Sequence, residues 1–152
     1  LVEIWSWDVS EPAYLAAKKN ADSYNVSTIS WKHGDFFKDK SIWQPLLKSH
    51  QVIFVSNPPY IPTEEIRSLE EVVKNFEPHE ALDGGPEGLV FYQKIFDELL
   101  PFKPDMVMEF GISQQSLLEK MIVNQTQYDV QFLKDFHQIP RVLSMSYAGT
   151  VS

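Results

Sequence analysis

The chain has 152 residues, a length that indicates one domain, and 43% of them are hydrophobic, which is enough to form a sizeable core. The formal net charge of -8 argues against a surface built to bind the phosphates of nucleic acids. Cysteine is absent and the four histidines lie far apart, so disulfides, thiolate catalysis and a metal site are not expected.

Strand and helix patterns alternate along the chain, which predicts an α/β fold with a parallel sheet. The predicted strands cover residues 1–7, 26–31, 51–56, 105–110, 128–133 and 142–147. The predicted helices cover residues 10–20, with Ser10 as N-cap, and residues 41–48, 88–100 and 113–123. The last two strands are expected to pair as an antiparallel hairpin at the sheet edge. Residues 61–88 form a connection long enough to indicate a functional insert.

The third predicted strand ends in the tetrapeptide Asn-Pro-Pro-Tyr, residues 57–60. The strand is short, β-branched and aromatic-rich, which predicts burial on both faces. Ligands of open α/β sheets bind outside the carboxyl ends of the strands, so Asn57 is a candidate site residue. Pro58 and Pro59 stiffen the backbone and donate no hydrogen bond. The Asn57 side-chain oxygen and the Pro58 carbonyl are therefore expected to act as two acceptors for an NH2 group, with Tyr60 as an aromatic wall. A simple strand-ending turn is the alternative interpretation.

Two aspartates occupy positions typical of nucleotide-binding α/β domains. Asp8 follows the first strand, where such domains bind the ribose hydroxyls. Asp35 could accept a hydrogen bond from an adenine amino group while the neighbouring Phe36 covers the ring. Both aspartates also fit ordinary turns.

In this order, the residues resemble the HemK/PrmC family of protein-(glutamine-N5) methyltransferases. Asn-Pro-Pro-Tyr alone is shared with adenine-N6 DNA methyltransferases and guanine-N2 RNA methyltransferases. The segment Glu-Pro-x-x-Ala-Leu-Asp-Gly-Gly-x-x-Gly-Leu at residues 77–89 is more selective, and Ile-Pro-Arg at residues 139–141 agrees with it.

The resemblance implies methylation of the glutamine in the Gly-Gly-Gln motif of a class I peptide chain release factor, with S-adenosylmethionine as cofactor. It implies a release factor as partner, with no direct nucleic-acid or membrane contact and no metal. The implied catalytic residues are Asn57 and Pro58, the substrate-binding residues are Asn57, Pro58, Pro59 and Tyr60, and the cofactor-binding residues are Asp8, Asp35, Phe36 and Asn57. A nucleic-acid amino-methyltransferase and a non-catalytic remnant of the fold are the alternatives.

The implied fold is the Rossmann-like sheet of class I S-adenosylmethionine-dependent methyltransferases, with strand order 3-2-1-4-5-7-6. The first strand of this chain resembles strand 2 of that order, and all six glycines lie outside the position of the cofactor-binding glycine-rich loop. We therefore expect an amino-terminally truncated sequence, namely one partial catalytic domain over residues 1–152 without the family's helical domain. Such a sheet would lack strand 1 and form two fragments with unpaired edges. The family implies bacterial cytoplasm or an organelle, and the low glycine content favours the mitochondrial matrix.

Overall fold

The computed structural model describes residues 2–68 and 78–149. The chain divides into two compact units, Leu1–Lys48 and Ser49–Ser152. Part of the predicted insert lies outside the described residues, including Glu77 of the family segment, and so does Leu1 of the first predicted strand. No helix in the two described ranges is long and apolar enough to cross a membrane.

The first unit contains a two-stranded parallel sheet. Its elements are β1 (Ile4–Asp8), α1 (Glu11–Ser23), β2 (Ile29–His33), a 3-10 helix (Phe36–Lys38) and α2 (Lys40–Ser49), which ends at the boundary of the unit. Ser10 is the N-cap of α1, as predicted, and its hydroxyl accepts a hydrogen bond from the backbone N–H of Ala13. Strand β2 begins later than predicted because its pairing begins with Ile29, opposite Ile4.

The second unit contains a four-stranded mixed sheet. Its strands are β3 (Ile53–Ser56), β4 (Asp105–Glu109), β5 (Tyr128–Lys134) and β6 (Pro140–Tyr147). Its helices are α3 (His79–Leu82), α4 (Val90–Leu99) and α5 (Gln115–Ile122), with 3-10 helices at Glu65–Ser68 and Leu100–Phe102.

The strand order of the second sheet is β3-β4-β6-β5. Strands β3 and β4 are parallel, and β6 is antiparallel to both β4 and β5. The predicted antiparallel pairing of the last two strands is confirmed. Strand β6 lies inside the sheet, however, so only β5 of this pair occupies an edge.

The pairing orders of the two sheets support the predicted fold class. Numbered as in the methyltransferase order, the first sheet reads 3-2 and the second reads 4-5-7-6. These are the two fragments that remain when strand 1 is taken out of 3-2-1-4-5-7-6. The alternation of strands and helices confirms the α/β class.

The core of the second unit lies on one face of its sheet. Met106, Met108, Leu143 and Met145 are fully buried and come from alternate positions of β4 and β6. The helices α4 and α5 contribute six more large buried side chains, namely Tyr92, Ile95, Phe96, Leu99, Leu118 and Ile122. The helical spacing in the sequence predicts one apolar face for α4, formed by Leu89, Tyr92, Ile95, Phe96 and Leu99. This prediction is confirmed, because all of these residues except Leu89 are buried.

The prediction that β3 is buried on both faces is wrong. Ile53 and Val55 are 65% and 72% exposed, whereas Phe54 between them is half-buried. A parallel strand is buried on both faces only where helices cover both. The described part of the chain covers the face that carries Phe54 and leaves the face of Ile53 and Val55 open.

Candidate functional site

The Asn-Pro-Pro-Tyr tetrapeptide lies at the carboxyl end of β3, as predicted. Asn57 is exposed and Pro58 is buried, so the tetrapeptide turns from solvent towards the interior of the second unit. Neither the Asn57 side chain nor the Pro58 carbonyl forms a hydrogen bond with another described residue. Both oxygens therefore retain their capacity to accept hydrogen bonds from a substrate.

The Tyr60 hydroxyl is held by two charged side chains. It donates a hydrogen bond to Glu109 Oε1 at 3.1 Å and accepts one from Arg141 Nη2 at 3.2 Å. Arg141 also binds Glu109 Oε1 at 3.0 Å, and its guanidinium carbon lies 5.7 Å from the centre of the Tyr60 ring. These contacts fix the plane of the ring that was predicted to form the aromatic wall.

The same neighbours set the ionisation of Tyr60. Burial raises the pKa of the phenol, and the Glu109 carboxylate raises it further, while the Arg141 guanidinium acts in the opposite direction. The net shift is upward, so Tyr60 is a neutral hydrogen-bond donor at physiological pH. It can therefore bind a flat substrate without adding a negative charge.

Glu109 and Gln114 are site residues that the sequence analysis missed. Glu109 ends β4, the neighbour of β3 in the sheet, and the strand-end rule that identified Asn57 also applies to it. Gln114 lies one residue before α5 and carries no comparable signal in a single sequence. Its importance follows only from its burial, since it is the one buried polar side chain in the described ranges, at 5% exposure.

The Gln114 amide joins three backbone segments. Its oxygen accepts a hydrogen bond from Gly111 N–H at 2.8 Å. Its nitrogen donates to the carbonyl of Tyr60 at 2.8 Å and to those of Glu87 and Gly88 at 3.2 Å. A single side chain thus connects the tetrapeptide with the loop before α4 and with the turn after β4.

The loop of residues 83–88 packs against the backbone of the tetrapeptide. Ile61 N–H donates to the Leu82 carbonyl at 3.0 Å, and Gly84 N–H donates back to the Ile61 carbonyl at 2.9 Å. A Cβ atom on Gly84 would lie 2.8 Å from the Pro59 carbonyl oxygen and 2.8 Å from the Tyr60 Cα. Glycine is therefore required at this position because backbone meets backbone.

Asp83 organises this loop. Its Oδ1 accepts hydrogen bonds from Thr63 Oγ1 at 2.7 Å and from Gly85 N–H at 2.9 Å. The Thr63 hydrogen bond, followed by the Gly85 hydrogen bond, lowers the pKa of the Asp83 carboxyl below its usual value of 3.8. His79 Nδ1 lies 3.9 Å from Asp83 Oδ2, and its charge also lowers the pKa of the Asp83 carboxyl. The family segment therefore supports the tetrapeptide through its backbone and through Asp83.

The predicted cofactor residues of the first unit have local partners. Asp8 Oδ1 accepts a hydrogen bond from Ser10 N–H at 2.8 Å, and Asp35 Oδ1 accepts one from Phe37 N–H at 3.0 Å. Asp35 Oδ2 lies 3.7 Å from Lys38 Nζ. These are the hydrogen bonds of ordinary turns, but an ionised carboxylate has about four lone-pair sites, so each aspartate can still accept from a ligand.

Phe36 belongs to an aromatic cluster of the first unit. Its ring stacks on Trp43 with a centroid distance of 5.1 Å, and its edge contacts Trp7 at 5.3 Å. Trp43 Nε1 also donates to the Phe36 carbonyl at 2.8 Å. The structure brings Asp35 and Phe36 together in one turn, and their binding of adenine stays a prediction.

Comparison with curated proteins identifies relatives among the release factor glutamine methyltransferases. The chain is 36% identical over 141 residues to the release factor glutamine methyltransferase of Caulobacter vibrioides, covering 90% of this chain and 46% of that protein. It is 30% identical over 144 residues to the protein of the same name from Thermodesulfovibrio yellowstonii, covering 93% and 50%. The chain thus spans about half the length of the curated relatives it matches. No family model matches the chain.

Solved structures with the same fold are methyltransferases. The human methyltransferase 10 domain containing protein aligns over 95% of this chain and 60% of its own, with a TM-score of 0.60 and 15% identity. The hMettl16 catalytic domain, solved in complex with the MAT2A 3'UTR hairpin 1, aligns over 95% and 55%, with a TM-score of 0.63 and 16% identity. At this identity the likeness concerns the fold alone, which is that of class I S-adenosylmethionine-dependent methyltransferases. With the fold of a methyltransferase and these sequence relatives, the chain is similar to release factor glutamine methyltransferases over about half of their length.

Proposed function

We propose that the protein transfers a methyl group from S-adenosylmethionine to the side-chain nitrogen of the glutamine in the Gly-Gly-Gln motif of a class I peptide chain release factor. The observation that carries the proposal is a pair of acceptors at the end of β3, Asn57 Oδ1 and the Pro58 carbonyl, which have no hydrogen-bond partner among the described residues. The relatives, which are release factor glutamine methyltransferases, support the choice of substrate.

The two acceptors suit the chemistry of an amide. A carboxamide nitrogen is a poor nucleophile because its lone pair is delocalised into the carbonyl group. Hydrogen bonds from both N–H groups to Asn57 and Pro58 raise the electron density on nitrogen and strengthen as positive charge develops there. They therefore stabilise the transition state more than the ground state. The methylated nitrogen then loses a proton to solvent or to a carbonyl, so no strong base is required.

Tyr60 is proposed to form the wall against which the planar amide lies. Its ring is held by Arg141 and Glu109, so it keeps its orientation when the substrate arrives. Pro59 contributes to the same surface by restricting the backbone of Pro58. In well-oriented systems, rigid positioning of this kind lowers the activation barrier by up to roughly 7 to 11 kcal/mol.

S-adenosylmethionine supplies the methyl group when it is bound. The remaining acceptor capacity of Asp8 fits the ribose hydroxyls, and Asp35 fits the adenine amino group with Phe36 beside it. Asn57 is proposed to contact the cofactor as well as the amide. We propose that the protein acts where class I release factors act, in the bacterial cytoplasm or the mitochondrial matrix.

The main alternative is a nucleic-acid amino-methyltransferase, because the same pair of acceptors suits an exocyclic amino group. Such an enzyme needs a basic surface and a base stacked on an aromatic ring. The net charge of -8 argues against the first requirement. A non-catalytic remnant of the fold is the other alternative. The experiment described next distinguishes the proposed function from both alternatives.

The test uses the full-length gene product, S-adenosylmethionine and a class I release factor, with methylation of the Gly-Gly-Gln peptide measured by mass spectrometry. We expect Asn57→Ala to lower the rate by about 100-fold or more, the effect of losing one transition-state hydrogen bond. Cofactor affinity, measured by calorimetry, should be largely retained because Asp8, Asp35 and Phe36 are intact.

Asn124→Ala is the matched control, because Asn124 is an exposed asparagine outside the site. It should leave the rate unchanged. An unchanged rate in Asn57→Ala contradicts the proposed role of Asn57. Methylation of an oligonucleotide but not of the release factor supports the nucleic-acid alternative, and methylation of neither supports a remnant.

A further inference from the structure

We infer that Gln114 is a positioning residue for methyl transfer, acting through the backbone of the Asn-Pro-Pro-Tyr tetrapeptide. The inference rests on the proposed function, because it concerns how the two acceptors are held. The first observation is that the Gln114 side-chain amide is buried, and that its oxygen and its nitrogen both form hydrogen bonds with the backbone.

The position of the Tyr60 carbonyl explains why Gln114 can affect the acceptors. This carbonyl lies two residues after Pro58 in the chain and accepts the shortest of the hydrogen bonds that the Gln114 nitrogen donates, at 2.8 Å. Pro59 lies between these two residues, and its φ angle is fixed by the ring. A displacement of the Tyr60 backbone therefore moves the Pro58 carbonyl, because rotation about φ of Pro59 cannot compensate for it. An error of about 1 Å in the position of a reacting group can cost about 100-fold in rate.

The other hydrogen-bond partners of Gln114 hold its side-chain amide in place. Gly111 follows β4, the strand that pairs with β3, and its N–H orients the Gln114 oxygen at 2.8 Å. Glu87 and Gly88 belong to the loop that packs on the tetrapeptide. Gln114 therefore holds Tyr60 against both a rigid strand end and the glycine loop.

Glutamine is required because the position needs a donor and an acceptor on one planar group. A carboxylate of the same shape accepts hydrogen bonds but donates none, and it would face three carbonyl oxygens. A protonated carboxyl group has one donor, which can replace the bond to the Tyr60 carbonyl. Methionine has a similar length but lacks both a strong donor and a strong acceptor.

The kinetic experiment compares Gln114→Glu, Gln114→Met and the control Gln115→Met in the full-length gene product. Gln115 is the next residue, and among the described residues its side chain binds Glu119 alone, at 2.8 Å on the surface. Removing the Gln115 side-chain amide should therefore leave kcat unchanged. Both Gln114 variants should lower kcat by roughly 10- to 100-fold, with the KM for S-adenosylmethionine changed by less than about 3-fold. For Gln114→Glu, the loss of kcat relative to wild type should become smaller as the pH is lowered, because the introduced carboxyl group is then protonated and can donate a hydrogen bond.

Hydrogen exchange gives a readout that needs no substrate. The amides of Ile61 and Gly84 are protected by hydrogen bonds that join Ile61, the residue after the tetrapeptide, to Leu82 and Gly84. They should exchange at least about 10-fold faster in Gln114→Met than in Gln115→Met, whereas amides of the core strand β4 should not.

The outcomes separate this inference from the proposed function. If wild type does not methylate the release factor, the proposed function fails, and the exchange experiment still decides whether Gln114 holds the tetrapeptide. Unchanged exchange at Ile61 and Gly84 overturns the inference, as does an unchanged kcat with faster exchange. If Gln114→Met does not fold, the pH-dependent recovery of Gln114→Glu decides: recovery of kcat supports the inference, and a deficit that is constant with pH overturns it.

Discussion

Asp8, Asp35, Asp83 and Asp135 make the same local contact, in which the carboxylate accepts a hydrogen bond from the backbone N–H two residues later. Such turns are a common use of aspartate and require no ligand. Asp83 differs from Asp8 and Asp35 because it also binds Thr63 across the insert. One carboxylate can therefore hold a turn and bind a second partner at the same time, as Asp83 does with Gly85 and Thr63.

Asp83 should make the stability of the protein depend on acid pH. Its pKa is lowered in the folded state, so the stabilisation is fully present above the unfolded value of 3.8 and is lost as the pH falls through the lower folded value. We expect Asp83→Asn to unfold more easily than wild type at neutral pH. The difference between the two should shrink as the pH falls below 3.8 and disappear once the Asp83 carboxyl is protonated in the folded state as well. Urea denaturation at several pH values measures it.

Asp129→Asn is the control for this prediction, because Asp129 is exposed and its one side-chain partner is the neighbouring surface residue Gln131. Its difference from wild type should be small at every pH. A difference between Asp83→Asn and wild type that stays constant from neutral to acid pH would show that the Asp83 charge does not stabilise the loop.

At the scale of elements, the loop of residues 83–88 determines how β3 continues into the site. The loop pairs with the chain after the tetrapeptide through Ile61 and Asp83, which form an isolated parallel bridge. It then leads into α4, since Val90 N–H donates to the Gly84 carbonyl at 3.0 Å. The glycines permit this path because the loop has no space for side chains on the side that faces the tetrapeptide.

Gly88→Ala should destabilise the loop strongly. Gly88 has a φ of +70°, and a Cβ atom there would overlap the Tyr60 carbonyl and the Gln114 amide nitrogen. The left-handed backbone alone costs about 1–2 kcal/mol for a residue with a side chain, and the overlap adds to it. We expect the free energy of unfolding to fall by about 2 kcal/mol or more, as measured by urea denaturation. Glu87→Ala, at the exposed neighbouring position, should change it by less than about 0.5 kcal/mol. Equal effects of the two changes would contradict the packing of the loop.

At the scale of the whole molecule, the described residues form two sheets instead of one. Each sheet has the pairing order of one part of the methyltransferase sheet, and the elements of the second unit bury one face of theirs. The open face carries Ile53 and Val55 of β3. The side chains on this face contribute little to the stability of the chain as described, because they remain in contact with water.

The double substitution Ile53→Thr and Val55→Thr tests this conclusion. Threonine keeps the β-branched shape, so we expect the free energy of unfolding of the 152-residue chain to change by less than about 0.5 kcal/mol. Leu143→Ala, at a fully buried position, should lower it by about 2–5 kcal/mol. A loss of similar size in the double variant would mean that the β3 face is covered in solution.

Some properties of this protein were determined by local sequence. The Ser10 cap, the apolar face of α4 and the alternation of strands and helices depend on residues close in the chain, and all three predictions are confirmed. The family segment and the tetrapeptide were likewise recognised from their residues, and the relatives agree with that recognition. Periodicity and capping report local conformation, which is why they could be read from a single sequence.

Other properties were decided only by the tertiary structure. Whether β3 is buried on both faces depends on which elements cover it, and an apolar run carries no information about that cover. Glu109, Gln114 and Arg141 meet Tyr60 from distant parts of the chain, and the pairing of β4 with β3 and β6 places two of them there. The sequence by itself determined that a stiff proline corner ends β3, because its stiffness is local. Which side chains hold that corner depends on long-range pairing, and only the folded sheet decided it.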